Sequence, residues 1–303
     1  MKTIALYNPG SGSVAADGGD KLRAALEANG VHGADVVEID RTDCNTQLKQ
    51  LAAKEPDLFI VWGGDGTLRT ALHLVGKATP NLLLLPGGTM NILPRAIHGE
   101  KPWDQVLKET LAAPKRMMLP AGQVNDEFFY CAMLAGAPAR LAEAREAVRH
   151  GELVKAVTAA AAALDTLNTM ELTATYREGY NFERERLPPT SVIGALVGPM
   201  ARDAEMEFFA LADSNAGAAL NVIWSSFISD WRTAPGVTIV PGQSLKIESA
   251  DGHIPVIVDG ESIEAGDTVR VKYIKEAAQC LTAGQMAAAQ PAPTDKTAEA
   301  GGQ

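Results

Sequence analysis

A loop of three glycines and one acid, set between a strand and a helix, most constrains how this chain folds. The loop is residues 63–67, Gly-Gly-Asp-Gly-Thr, and it lies between the apolar run 58–61 and the helical pattern 68–75. Glycines at a strand-to-helix turn leave backbone N–H groups uncovered, and the helix N-terminus adds partial positive charge. The sequence therefore predicts a strand–helix unit whose turn binds an anion, most simply a phosphate.

Asp65 indicates that a cation binds together with the phosphate. A carboxylate in a purely anion-binding loop would repel phosphate, since both groups are negatively charged. A Mg²⁺ ion that bridges the carboxylate and the phosphate removes this conflict. We therefore predict a nucleotide triphosphate with Mg²⁺ at this loop, and Asp65 as the metal ligand.

Two further glycine-rich loops follow predicted strands. After the strand at 3–7, residues 8–13 read Asn-Pro-Gly-Ser-Gly-Ser, without the lysine of an ordinary P-loop. After the run 82–85, residues 86–91 read Pro-Gly-Gly-Thr-Met-Asn. In an open parallel sheet the carboxyl ends of the strands line one crevice, where ligands bind. We therefore expect the three loops to meet at one site.

The three loops, together with the late segment 258–261, Val-Asp-Gly-Glu, resemble the diacylglycerol kinase catalytic family, which includes sphingosine and ceramide kinases. Their order and spacing cover about residues 1–275. The resemblance implies an ATP-dependent lipid kinase that moves the γ-phosphate to the primary hydroxyl of diacylglycerol, ceramide or a sphingoid base. Composition and periodicity by themselves predict only the nucleotide-binding crevice.

The resemblance also implies roles for individual residues. Asp259 would be the general base for the acceptor hydroxyl, Glu261 its partner or metal organiser, and Asp65 the third catalytic acid. The predicted ATP-binding residues come from all three loops: Asn8, Ser11, Gly12, Gly63, Gly64, Asp65, Gly66, Thr67, Gly88, Thr89 and Asn91. Two plainer interpretations stay open, because Asp-Gly is also the commonest hairpin signal and Thr or Asn also caps helices.

The chain departs from the family pattern at three places. Thr70 stands where many members carry Glu, Ile92 follows Asn91 where many carry Asp, and residues 136–139 lack the Asp of a Gly-x-Asp segment. Two alternatives therefore stay open. One is a soluble phosphotransferase similar to NAD kinase, which shares the Gly-Gly-Asp-Gly-Thr loop. The other is a nucleotide- or lipid-binding regulator without turnover.

The rhythm of strands and helices predicts an α/β plus all-β chain. Strand and helix patterns alternate over residues 1–120, which predicts a Rossmann-like parallel α/β nucleotide-binding domain, joined again by 275–288. Closely spaced strands with turn signals over 121–274 predict an antiparallel β-sandwich that binds the lipid acceptor. A helical insertion is expected at 139–168, and a disordered tail at 289–303.

Composition limits the partners. The net charge of −10 argues against nucleic acid as a ligand, and against attachment to anionic lipid by charge alone. Three scattered cysteines indicate a reducing cytoplasm, and the longest weakly polar helical run is too short for a transmembrane segment. We therefore expect a cytoplasmic protein that meets its lipid substrate transiently at a membrane surface. Assembly as a homodimer is left open.

Overall fold

A parallel sheet between helices is followed by two antiparallel sheets. The computed structural model describes these ranges of the chain: 1–40, 42–79, 81–136, 170–178, 185–201, 204–211, 232, 236–250, 252–263 and 265–283. The predicted helical insertion at 139–168 and the predicted tail at 289–303 lie outside the described residues.

Strands and helices alternate through the first part of the chain. Their bounds are β1 (Thr3–Tyr7), α1 (Gly18–Ala28), β2 (Asp35–Glu38), α2 (Cys44–Ala52), β3 (Leu58–Gly63), α3 (Asp65–Val75), β4 (Leu82–Pro86), α4 (Ile92–His98) and α5 (Trp103–Ala112). The described strands form one parallel sheet in the order β2-β1-β3-β4. The predicted Rossmann-like α/β architecture is confirmed.

Both faces of this sheet are covered. Successive residues of a strand point to opposite faces, so Phe59 packs in one buried cluster with α2 and α3, and Ile60 packs in another with α1 and α5. Every residue of β3 and β4 is buried. This explains why the sequence of these strands is continuously apolar and not alternating.

The later part of the chain is built of antiparallel strands. They are β5 (Lys115–Val124), β6 (Glu127–Phe129), β7 (Ala132–Gly136), β8 (Leu172–Arg177), β9 (Glu185–Thr190), β10 (Val192–Val197), β11 (Met206–Leu211), β12 (Val237–Pro241), β13 (Ser244–Ser249), β14 (Val256–Val258), β15 (Glu261–Ile263) and β16 (Thr268–Thr282). The described residues form two six-stranded sheets, β12-β11-β10-β7-β14-β15 and β6-β5-β16-β13-β8-β9. One buried cluster takes side chains from both sheets, which confirms the predicted sandwich.

The ladder between β5 and β16 joins the two architectures. Its register shifts between Ile274 and Ala278. Before the shift, Val271 packs in the sandwich core, and after it Ala278 and Cys280 pack in a core cluster of the α/β sheet. Strand β5 therefore crosses the predicted boundary at residue 120, and strand β16 crosses the start of the predicted return segment at 275–288. The exact domain boundary stays a prediction.

Two elements differ from the sequence prediction. The helix predicted at 68–75 begins three residues earlier, at Asp65, with Gly64 extended at the N-cap position. The acid is thus in the first turn, where the helix dipole favours negative charge. Strand β9, which the sequence did not predict, contains Pro188 and Pro189 and lies at the edge of its sheet, where proline is tolerated.

The buried indole of Trp62 provides a test of this packing. Its Nε1 donates to the carbonyl of Pro86 at 3.0 Å, and its ring lies 4.3 Å from that of Trp103. Trp62→Phe keeps the aromatic contact but leaves the carbonyl without this donor, so we expect the free energy of unfolding to fall by about 1–3 kcal/mol in urea titrations. Trp103→Phe, at a half-buried position, is the matched control. Equal stability of the two variants would contradict this account.

Candidate functional site

The first and second glycine-rich loops are joined by two hydrogen bonds. The amide of Gly64 donates to Ser11 Oγ, and Asn8 Nδ2 donates to Thr67 Oγ1, both at 2.9 Å. The third loop joins them through Ser13, whose amide donates to the carbonyl of Gly87 at 3.0 Å. The three loops therefore form one surface at the carboxyl ends of β1, β3 and β4, as the sequence predicted.

Several glycines in these loops are required by close approach between chains. A Cβ atom on Gly88 would lie 2.9 Å from Gly64 Cα, and one on Gly12 would lie 2.4 Å from Thr89 Oγ1. Gly63 ends β3 and is buried beneath Thr67, whose Cγ2 would be 2.8 Å from an added Cβ. At these positions the surface is thus formed by backbone without side chains.

Asn91 stabilises the third loop and does not cap the next helix with its side chain. Its Oδ1 accepts from the amide of Gly88 at 2.7 Å, and its Nδ2 donates to the carbonyl of the same residue at 2.9 Å. The residue takes the N-cap position of α4 in a left-handed conformation, with φ of 51°, and makes no side-chain cap hydrogen bond. The alternative of ordinary side-chain capping is therefore wrong for Asn91, and Thr89 is exposed beside Gly12.

Asp65 provides the cap that Asn91 does not. Its Oδ1 accepts from the amide of Leu93 at 2.9 Å, and the amides of Asn91 and Ile92 also bond to the carboxylate. Burial raises the pKa of Asp65, and these amides and the guanidinium of Arg95 oppose the rise. The acid of the second loop thus fixes the helix that follows the third loop. Its role as a metal ligand stays a prediction.

Asp259 and Gly260 form a two-residue hairpin turn between β14 and β15. Both have positive φ, 46° and 91°, and Val258 pairs with Glu261 across the turn. Positive φ at both central residues is typical of the type I′ turn that the Asp-Gly pair favours. The hairpin interpretation of this segment is therefore confirmed. Its two acids, Asp259 and Glu261, contact different parts of the protein.

The carboxylate of Asp259 is held by three backbone amides. It accepts from Tyr130 at 2.7 Å, from Cys131 at 3.0 Å and from Ala132 at 2.9 Å. Desolvation raises the pKa of Asp259 to about 6, although these amides and the guanidinium of Arg69 lower it. Burial raises the pKa of the Cys131 thiol, and the charges of Asp259 and Asp65 raise it further. Both acids therefore lie within electrostatic range of this thiol.

Glu261 reaches across to helix α3. Arg69 Nη2 donates to its Oε2, and a Cβ atom on Gly66 would lie 2.0 Å from its Oε1. Arg69 is 9% exposed, and its Nη1 lies 3.9 Å from an oxygen of Glu127. The acidic turn of the sandwich and the glycine loop of the parallel sheet are thus brought together at the first two turns of α3.

Arg69 is the charged residue of the candidate site that the sequence motifs did not indicate. Residues 66, 69 and 70 share one face of α3 by helical spacing, which is the signal that could have indicated it. Thr70, on the same face, donates its hydroxyl to the carbonyl of Gly66 at 2.9 Å. The departure from the family pattern at position 70 therefore places a neutral, internally bonded side chain on the face of α3 that carries Arg69.

The described residues contain no group of three His, Cys, Asp or Glu side chains arranged to hold a metal ion. Mg²⁺ at nucleotide sites commonly takes one or two carboxylates, with phosphate oxygens and water completing its shell. Asp65 is the loop carboxylate with that chemistry.

Comparisons with known proteins agree with the resemblance seen in the motifs. Residues 2–118 match the family model of the diacylglycerol kinase catalytic domain. A crystal structure described as a diacylglycerol kinase from Bacillus anthracis shares the fold, with a TM-score of 0.66 over 93% of this chain and 96% of that chain. The sequence identity is 16%, so this likeness shows the fold alone.

A segment of the chain is also similar to proteins named NAD kinase 1. The one from Parasynechococcus marenigrum is 40% identical over 77 residues, and the one from Trichormus variabilis is 40% identical over 76 residues. The match takes 23% of this chain and spans about a quarter of the length of either relative, 24% and 25%. The similarity is therefore limited to this segment of the chain.

The contact between Gly66 and Glu261 can be measured by a double-mutant cycle. Alanine is better than glycine in a helix by about 1 kcal/mol, so Gly66→Ala should stabilise α3 once Glu261 is removed. In the presence of Glu261 the new methyl group displaces the carboxylate, and we expect a coupling free energy of about 0.5–2 kcal/mol.

The control for this cycle is Gly64→Ala, because a Cβ there meets its nearest atom at an ordinary 3.5 Å. The readout is the free energy of unfolding of the single and double variants with Glu261→Ala. Additivity of Gly66→Ala with Glu261→Ala would show that the two residues do not touch.

Asp259 should also make stability depend on pH. Its pKa in the folded protein, about 6, is above its ordinary value of 3.8, so the folded protein binds the proton more tightly than the unfolded chain. The resulting stabilisation is present below pH 4 and is lost as the pH rises through 6. Wild type should lose about 1–3 kcal/mol between pH 4 and 7 relative to Asp259→Asn.

Asp40→Asn serves as the control, because the hydroxyl and amide of Thr42 lower the pKa of Asp40, so its contribution to stability is lost only below pH 4 and stays nearly constant between pH 4 and 7. Thermal unfolding of wild type and both variants across this pH range gives the comparison. A difference between wild type and Asp259→Asn that is constant with pH would contradict the assignment.

Proposed function

Because residues 2–118 match the diacylglycerol kinase catalytic domain, we propose that this chain is an ATP-dependent lipid kinase. It would move the γ-phosphate of ATP to the primary hydroxyl of a lipid alcohol such as diacylglycerol, ceramide or a sphingoid base. The observation that carries the proposal is the contact of Glu261 with Gly66, which brings the acidic turn to the phosphate-binding loop.

The triphosphate would be held mainly by backbone and small polar groups. The first turn of α3 begins at Asp65, and the partial positive charge of this helix end favours phosphate. Asn8, Ser11 and Thr67 already hold each other's loops in place through their hydrogen bonds. The loops are thus preorganised, and little conformational entropy is lost when the nucleotide binds.

Asp65 would hold Mg²⁺ together with the phosphate oxygens. A carboxylate offers about four lone-pair directions, so the three amides of α4 leave one for a cation. When bound, the ion supplies positive charge that offsets the charge of the phosphates. The amides hold the carboxylate in one orientation before the ion binds.

Asp259 would accept the proton of the acceptor hydroxyl. With a pKa of about 6 the carboxylate is ionised at neutral pH and close to the operating range of a general base. The hydroxyl oxygen bonds to the γ-phosphorus as the bond from that phosphorus to the bridging oxygen of ADP breaks. The proton passes to Asp259, and the products are the phosphorylated lipid and ADP.

The lipid would be met at a membrane surface. Within the described ranges there is no helix with the length and apolar character needed to cross a membrane. Because the proposed acceptor is a lipid, we propose transient association with the bilayer from the cytoplasm, with no nucleic acid as a partner. A homodimer is compatible with this proposal and is not required by it.

A soluble phosphotransferase similar to NAD kinase is the second candidate. The 40% identity with NAD kinase 1 of Parasynechococcus marenigrum over 77 residues favours it. The two candidates differ in where the phosphate goes. Incubation with labelled ATP, Mg²⁺, NAD and mixed lipid micelles should place the label in an organic-phase lipid, whose mass identifies the acceptor. Label in a soluble dinucleotide would establish the second candidate in place of the first.

Asp65→Asn is the sharpest variant for the proposal. The amide oxygen of Asn can keep the hydrogen bond to the amide of Leu93, so we expect a melting temperature close to that of wild type. The charge at the phosphates is lost, and lipid phosphorylation should fall by at least about 100-fold.

Asp104→Asn is the matched control, because Asp104 is also an acid in the first turn of a helix but lies in α5. The assay is transfer of label from ATP to lipid in mixed micelles. Wild-type activity in Asp65→Asn would count against the proposed function.

A further inference from the structure

Arg69 is a buried cation of the parallel-sheet half that lies among acids of the β-sandwich. It comes from α3, its Nη2 donates to Glu261 of β15, and its Nη1 lies 3.9 Å from Glu127 of β6. Its charge also acts on Asp259, whose pKa it lowers. None of the four motifs that predict nucleotide and acceptor binding includes this residue.

The position of Arg69 is unfavourable for a charge that serves stability alone. The neighbouring positions Leu68, Ala71 and Leu72 are buried and apolar. The Nε and Nη1 atoms of Arg69 are buried and have no hydrogen-bond partner among the described residues. A buried guanidinium with incomplete hydrogen bonding costs free energy that an apolar side chain of similar size would not. The hydrogen bond to Glu261 is therefore the interaction that favours a charged side chain at this position.

We infer that Arg69 is a positioning residue, which ties the acidic turn 259–261 of the sandwich to the helix that carries the glycine loop. The turn is then held from two sides. On one side the amides of residues 130–132 hold Asp259, and on the other the guanidinium holds Glu261 against Gly66. The tie itself depends only on structure and charge, whereas its effect on catalysis rests on the proposed function.

The spacing along α3 makes this tie effective. Arg69 lies one turn after Gly66, so both face the same side of the helix. Glu261 contacts the two of them at once, and its displacement would separate the acidic turn from the first turn of α3. Since small misplacements of reacting groups reduce rates steeply, a residue that acts only through this geometry can still affect turnover.

Because of the charges around Asp259, the tie can be detected through the pKa of this carboxyl group. The groups near it are Arg69 from α3, Tyr130 and Cys131 from the segment between β6 and β7, and Glu261 beyond the turn, while the charge of Asp65 also acts on Cys131. Burial raises the pKa values of Tyr130 and Cys131, so both side chains are neutral near pH 7. Arg69 is then the cation that, within the described residues, acts on Asp259.

Two variants with opposite expected shifts test the inference. Arg69→Gln removes the cation, so the pKa of Asp259 should rise by about one pH unit, and the acidic limb of the rate profile should move to higher pH with it. Glu261→Gln removes a neighbouring anion and leaves the guanidinium uncompensated, so the pKa of Asp259 should fall. Arg69→Lys keeps the charge and should restore the titration towards that of wild type.

The primary readout is the titration of the Asp259 carboxyl carbon by NMR, in protein labelled at aspartate and assigned with Asp259→Asn. Arg23→Gln, at an exposed arginine of α1 that pairs with Asp20, is the control and should leave the titration unchanged. Opposite shifts in Arg69→Gln and Glu261→Gln, with recovery in Arg69→Lys, support the inference. Shifts in the same direction, no shift, or equal behaviour of the Lys and Gln variants would overturn it.

Kinetics separate this inference from the proposed function. With lipid and ATP, Arg69→Gln should lower kcat by about 10-fold with little change in KM for ATP, because the acid is misplaced and the loops are not. The NMR titration needs no turnover, so it still decides the inference if wild type phosphorylates no lipid. If the Gln variant does not fold, the downward shift in Glu261→Gln carries the test alone, and its absence would overturn the tie.

Discussion

The candidate site depends on one contact, in which Glu261 from the β-sandwich meets Arg69 and Gly66 on helix α3. Arg69 and Glu261 are 192 residues apart in sequence, so only the tertiary fold can join them. The ladder between β5 and β16 provides the frame, because it runs from the sandwich core into the core of the parallel sheet. The hairpin that carries the acids is thereby held over the start of helix α3.

The balance of charge at this contact supports the proposal of a bound cation. Glu127, Asp259 and Glu261 place three carboxylates around the guanidinium of Arg69, Asp65 is in range of Arg95, and a triphosphate would add further negative charge. Backbone dipoles at the start of α3 offset part of it. Because Arg69 is engaged by Glu261, we propose that a divalent ion near Asp65 supplies the remaining positive charge.

The features that the sequence predicted well are those with local signals. The glycine loops, the apolar strands before them and the Asp259–Gly260 hairpin each depend on a few neighbouring residues. The features that it missed depend on contacts between distant segments: Arg69 pairs across the two halves, and Asp65 caps a helix that begins 27 residues later in the chain. Local patterns do not show which side chains of distant segments come into contact. Strand β9 was missed because its prolines are acceptable only at a sheet edge, and edge position is a property of the assembled sheet.

We propose that bare backbone in three loops binds a polyphosphate while the acidic turn faces its terminal phosphorus. A crystal structure with Mg²⁺ and a non-hydrolysable ATP analogue would show this arrangement. We expect phosphate oxygens within hydrogen-bonding distance of the amides of residues 64–67, the ion beside Asp65, and the γ-phosphate facing Asp259. A nucleotide bound elsewhere, or phosphates directed away from these amides with Glu261 still in contact with Gly66, would contradict it.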